Sequence, residues 1–189
     1  MNRREAVSLV SLIFGGTLIG ADAFITGCSP NKPVKDGLFS AADISLMDDV
    51  ADTIIPETPG SPGAKSTQIG QFMKRIVTDC YEAKDQKTFV DGLATLNTVA
   101  NKKFGKDFSA LAVNDRTSLL EQLDKEAKDY EKTKKKEDAN SYFSMFKQLT
   151  VWGYFSSEAG ATKALRYVAI PGRYTGVIDY KKGDKAWAT

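Results

Sequence analysis

The chain has 189 residues, 42% of them hydrophobic and 26% charged, and a net charge of +2. It contains no histidine, which excludes a c-type haem motif, a His-ligated zinc, copper or iron site, and any triad with an imidazole base. Acidic and basic residues are largely interleaved, so the charge balance points to no nucleic-acid partner.

Met1 to Glu5 is short and basic, with Arg3 and Arg4 adjacent, and Ala6 to Ala21 follows without a charge. This is the layout of an export signal over residues 1–27. The apolar run is short for a membrane span, which needs ~20 residues for ~30 Å of hydrocarbon. Asn2-Arg3-Arg4-Glu5-Ala6-Val7 has the pair of a twin-arginine signal without the large apolar residue usually found two places later. A twin-arginine signal, which exports folded proteins, and a general secretory signal therefore both fit. Ile25-Thr26-Gly27-Cys28 resembles the lipobox of bacterial lipoproteins. On that reading Cys28 takes a diacylglycerol, becomes the first mature residue, and anchors the protein to the periplasmic side of a bacterial membrane. An ordinary signal with a chance cysteine is the alternative.

Cleavage removes two residues of each sign, so the mature chain stays at +2. Acylation of Cys28 leaves Cys80 alone, and an internal disulfide is then impossible. The glycines nearest a dinucleotide-binding pattern, Gly15, Gly16 and Gly20, lie in the cleaved signal. No cofactor or metal motif is present in the mature chain.

Residues 28–39 hold Pro30, Pro33 and Gly37 and read as a flexible tether. Ser40-Ala41-Ala42-Asp43 has the form of a capping box with Asp in place of Glu. Ile44, Met47, Ala51 and Ile54 then recur at helical spacing until Pro56 stops the helix. Residues 56–66 are rich in proline and glycine and form a loop. Ile69, Phe72, Met73, Ile76, Val77, Cys80 and Tyr81 form an amphipathic stripe, which turns Cys80 inward as a small core residue. Phe89, Leu93, Leu96 and Ala100 mark a third helix. Asp115 is expected to cap a fourth, with Leu119, Leu120, Leu123 and Ala127 inward.

Residues 131–138 pack four lysines and three acids and read as a solvated helix end or linker, with a patch for phospholipid heads as the alternative. Tyr142, Phe143, Phe146, Leu149 and Thr150 suggest a fifth helix, leading into Trp152-Gly153-Tyr154-Phe155-Ser156-Ser157-Glu158. A shorter helix is expected near residues 162–167. Helical periodicity then breaks, and the last residues look extended and loosely attached, with Trp187 as a docking point. The expected fold is all-α: one small domain of five to six helices with an irregular carboxy-terminal arm.

Three stretches together resemble the gluconate 2-dehydrogenase subunit 3 family. They are Ala51-Asp52-Thr53-Ile54-Ile55-Pro56 with Pro62-Gly63-Ala64; Asp79-Cys80-Tyr81 with Phe89, Gly92 and Leu93; and Leu149-Thr150 through Gly153–Glu158, then Pro171-Gly172 and Tyr174-Thr175-Gly176. The likeness runs over residues 40–178 and leaves 179–189 as a tail. It implies a non-catalytic accessory subunit of a membrane-associated sugar or gluconate dehydrogenase. The implied partners are a glucose-methanol-choline-type large subunit carrying FAD and a cytochrome c subunit. It also implies that the small subunit supplies the export signal, which would give Arg3 and Arg4 their purpose.

No catalytic, cofactor-binding or metal-binding residue is expected in this chain. Trp152, Tyr154, Phe155 and Tyr174 are candidates for the partner surface, because aromatic side chains are enriched in interface cores. Each is also a candidate for this domain's own core. Glu158 either pairs with a basic group on the partner or sits in the first turn of a helix, where an acid favours the dipole. Two other functions compete. A stand-alone periplasmic lipoprotein binding a small ligand requires a closed pocket with convergent polar groups. An enzyme using carboxylates requires facing pairs from Asp48, Asp49 and Asp52, or from Glu121 and Asp124.

Overall fold

Ser40 opens the first helix, α1 (Ala41–Ile54), through the reciprocal capping box that its sequence predicts. Ser40 N–H donates to Asp43 Oδ2 at 2.8 Å, and Asp43 N–H donates back to Ser40 Oγ at 3.2 Å. Such a cap contributes about 1 kcal/mol. α1 buries Leu46, Met47, Val50 and Ala51 and ends at Ile55, ahead of Pro56. The computed structural model describes residues 37–170 and 172–188. The signal peptide expected over 1–27, with Arg3 and Arg4, lies outside these residues, as do Cys28 and residues 29–36 of the expected tether.

The proline-rich loop after α1 is pinned by a Thr58–Ser61 pair and by Ala64 N–H donating to Ile55 O at 2.9 Å. A short 3-10 turn (Ala64–Thr67) leads to Gln68, whose left-handed φ of 53° sets the direction of α2 (Ile69–Cys80). Asp48 on α1 accepts from Gly70 N–H at 2.7 Å, which supplies an acid to the first turn of α2. At the other end, the Gln86 side-chain amide donates to the carbonyls of Val77, Thr78 and Tyr81. The two N–H groups of one side chain are thus shared among three acceptors at the end of α2.

α3 (Ala83–Phe104) buries Phe89, Gly92, Leu93, Leu96 and Ala100, and closes at Gly105 with a φ of 70°. α4 (Val113–Thr133) buries Leu119, Leu120, Leu123 and Ala127. α5 (Tyr142–Ser156) packs against each of the other four helices. That central position explains its composition: Phe143, Met145, Phe146, Leu149, Thr150, Gly153 and Tyr154 are all buried. A helix surrounded by others has little amphipathic contrast. Phe146 meets Phe89 edge to face at 4.5 Å between ring centroids, and Phe89 meets Phe39 in the same way. Each such burial contributes about 1.5–3 kcal/mol. Residues 131–141 are mostly exposed, apart from a Lys134–Glu131 ion pair at 3.0 Å.

The described residues are helical, with isolated pairs but no strand among them. Three sequence expectations are corrected. Cys80 is exposed, not inward. Its angular position matches the buried stripe, but it is the last residue of α2 and lies beyond the elements that cover Met73 and Val77. Asp115 does not cap α4; Ala112 takes that position, and Asp115 sits in the first turn. The expected helix near 162–167 is instead a π-helical turn, Gly160–Ala164, that ends before Arg166.

Candidate partner-binding surface

The end of α5 explains why its glycines and serines stand where they do. Gly153 faces Phe72 so closely that an added Cβ would lie 2.6 Å from Phe72 Cδ1. The next residue, Tyr154, is 1% exposed. Its hydroxyl donates to Pro62 O and shares a 2.7 Å hydrogen bond with Ser61 Oγ. Tyr154 therefore fixes the proline-rich loop to α5 and is removed from the partner-surface candidates. Its carbonyl ends the helix, accepting from Ser157 N–H at 3.1 Å and Ser157 Oγ at 2.6 Å. Ser157 Oγ also accepts from Gly160 N–H at 3.0 Å. A side chain on Gly160 would collide with the Tyr154 carbonyl.

This tight turn leaves the opposite side of α5 uncovered. Val151 and Trp152 are exposed, as is Phe155 at 41%. Trp152 is 51% exposed and touches Phe72 edge to face at 5.3 Å, so one side of the ring is supported and the rest meets solvent. Glu158 is exposed at the start of the next turn, and Thr162 Oγ1 donates to its carbonyl at 2.6 Å. No ion pair to Glu158 exists among the described residues.

A second apolar surface lies on the carboxy-terminal arm. Tyr174 is 95% exposed, and Tyr167, Val168, Ile170, Val177, Ile178 and Tyr180 are exposed beside it. Val168, Ile170, Tyr174, Ile178 and Trp187 line an open, mainly apolar groove of about 850 Å³, with Arg173 at its edge. Single exposed hydrophobics are ordinary, whereas a contiguous run of them makes the arm a candidate interaction surface. Tyr174 is exposed, as a partner-surface candidate must be, and its neighbours Tyr167, Val168, Ile170, Val177, Ile178 and Tyr180, which the sequence did not single out as candidates, are exposed with it. The available signal was a stretch of aromatic and β-branched residues persisting after helical periodicity had stopped.

Other arrangements offer less. The polar cleft between Ser66, Thr67, Gln68, Glu158, Thr162 and Lys163 is open and about 400 Å³ in volume. Ser66, Thr67 and Thr162 each spend their hydroxyl on a local carbonyl. Three of the five carboxylates suggested as acid–base pairs have structural partners. Asp48 accepts from Gly70 N–H, and Asp49 faces Arg116 and Lys65 at 3.7 and 3.8 Å. Asp124 binds Lys128 and Lys147, each at 2.6 Å. Hydrogen bonds from Lys128 and then Lys147 hold Asp124 below the usual carboxylate range. Burial raises the phenol of Tyr142, with Glu126 adding to it, and burial likewise raises Tyr81, with Asp85 adding to it. Both phenols thus stay protonated at neutral pH. Among the described residues no cluster of three or more metal-ligating side chains occurs, and no helix is long and apolar enough to cross a membrane.

The family model for gluconate 2-dehydrogenase subunit 3 matches residues 41–172. This interval contains all five helices, the Tyr154–Gly160 turn and the root of the arm. No significant match was found among curated proteins or among solved structures.

Proposed function

Because the chain belongs to the gluconate 2-dehydrogenase subunit 3 family, a subunit family of an oxidoreductase complex, we propose that it assembles, exports and tethers a flavin-dependent sugar or gluconate dehydrogenase. The large subunit, of the glucose-methanol-choline type, carries FAD and the substrate site. A cytochrome c subunit accepts the electrons. This chain contributes contact surface and an address, and no reacting group. Its first residues direct export, with Arg3 and Arg4 engaging the twin-arginine route so that the folded flavoprotein crosses with it. Cys28 carries the lipid that holds the complex on the periplasmic side of the membrane.

The observation that carries this reading is the exposed apolar surface of α5 and the arm. Val151, Trp152 and Phe155 on the helix, and Tyr174 with its neighbours on the arm, lie open on the isolated chain. Aromatic anchors of this kind supply most of the binding energy in protein interfaces. A small-ligand carrier would instead close a pocket around polar groups, and the polar cleft beside Glu158 is open.

The test is a pull-down through a carboxy-terminal tag on a flexible linker, from detergent-solubilised native membranes. The eluate is examined for a flavin spectrum and for dye-linked sugar oxidation. A yellow large-subunit partner with activity is the expected result, and a Cys28→Ser variant should release the same complex from the membrane. Recovery of a colourless, partner-free chain under conditions that preserve complexes would overturn the reading and redirect attention to the polar cleft.

A further inference from the structure

The exposed arm is not a free tail. Arg166 stands at its root, where Arg166 N–H donates to Ala186 O at 2.8 Å and Ala188 N–H donates to Arg166 O at 2.9 Å. These bonds pair Arg166 with Trp187 in parallel. The Arg166 guanidinium lies 4.5 Å from the centroid of the Trp187 ring. Its Nη2 and Nε donate to Lys185 O at 2.8 and 3.3 Å. Lys185 Nζ in turn donates to Lys163 O and, at 3.4 Å, to Gly60 O. The base of the arm is thereby tied to the π-helical turn and to the proline-rich loop. Between those ends, residues 167–180 make no hydrogen bond among the described residues, while most of their large apolar side chains face solvent.

A fixed base beneath an apolar span without internal bonds has a physical consequence. A loop needed only for this domain's stability would bury its side chains, and a disordered tail would need no anchored return. Closing the loop within the free chain removes conformational freedom that would otherwise be lost on binding. We propose that Arg166 and Trp187 form a latch that holds residues 167–186 as a closed loop, ready to seat on the flavin-carrying large subunit. They set the affinity of the complex as positioning residues, and Tyr174 and its neighbours make the contact. The inference rests on the accessory-subunit reading and names the part of the chain that engages. A surface that complements this loop is apolar, with acidic groups facing the exposed Arg173, Lys181 and Lys182.

The test compares wild type, Arg166→Ala, Trp187→Ala and Tyr174→Ala in the purified complex. The dissociation constant comes from a dilution series, and latch integrity from hydrogen exchange at the Arg166 and Ala188 amides. Both latch variants are expected to raise Kd about tenfold and to lose amide protection, with helical circular dichroism unchanged. Tyr174→Ala is expected to raise Kd while those amides stay protected, which separates contact from positioning. Should Arg166→Ala fail to fold, Trp187→Ala carries the test, because Trp187 lies outside the core. An unchanged Kd in the latch variants, or amides that stay protected in them, overturns the latch and leaves the accessory-subunit reading standing. A wild-type chain that holds no flavoprotein overturns that reading and the latch with it.

Discussion

The carbonyl of Tyr154 accepts twice from Ser157 and faces Gly160 with no room for a methyl group. Gly60 is the natural contrast, since nothing lies within 4 Å of an added Cβ and its φ is not positive. Gly160→Ala is therefore expected to destabilise by about 2–3 kcal/mol through overpacking. Gly60→Ala should be neutral or gain up to about 1 kcal/mol through the unfolded chain. Urea titration of both variants checks the pair, and equal effects would show that the turn relaxes easily. The same residues show what spacing could and could not reveal. Phe146, Thr150 and Tyr154 stand four apart, so helical periodicity alone assigns Tyr154 to the core. Its place between Trp152 and Phe155 suggested an interface instead. The hydroxyl's partners, Ser61 and Pro62, are distant in sequence, and no local pattern announces them.

Between helices, Asp124 is the main ionic link, joining Lys128 on its own helix α4 to Lys147 on α5. Its carboxyl is held low first by hydrogen bonding to Lys128 and then to Lys147. A folded pKa below the unfolded one means that the unfolded chain takes up the proton first as pH falls. The stabilisation is therefore complete above the unfolded pKa and is lost as pH falls through the folded one. Wild type should exceed Asp124→Asn at neutral pH by a modest margin, about 0.5–1 kcal/mol for partly exposed pairs. The difference should vanish as pH falls through and below the usual carboxylate range. Thermal melts across that range check it, and a margin that persists in acid would assign the effect to packing. At this scale the sequence is most informative where one face of a helix is buried. The stripes of α1, α2, α3 and α4 were readable for that reason. Cys80 shows the limit, because periodicity gives the face of a helix and not how far along it the covering elements reach. The π-helical turn was unreadable for a different reason: it is set by the Tyr154, Ser157 and Gly160 bonds and not by any apolar repeat.

For the whole molecule, the division of labour between bundle and arm makes a stronger demand. The buried core draws on Phe39, all five helices, Ala64, Phe108 and Leu111, and no described residue after Tyr154 belongs to it. Beyond the π-helical turn, the arm closes on itself through Arg166 and Trp187, and Lys185 hydrogen-bonds it to Lys163 and Gly60. Stability should then reside in the helices and association in the arm. A chain ending after Leu165 is expected to keep its helical circular dichroism and a cooperative melt, with a Tm within several degrees of wild type. The losses are a few partly exposed hydrogen bonds and one cation–π contact, together about 1–2 kcal/mol. The same truncated chain should recover far less flavoprotein in the pull-down. If it melts broadly or aggregates, the arm is a structural brace, and the apolar groove of Ile170, Tyr174 and Ile178 is part of how the domain holds together. If it melts sharply and still captures the large subunit in full, the exposed face of Val151, Trp152 and Phe155 on α5 carries the association by itself.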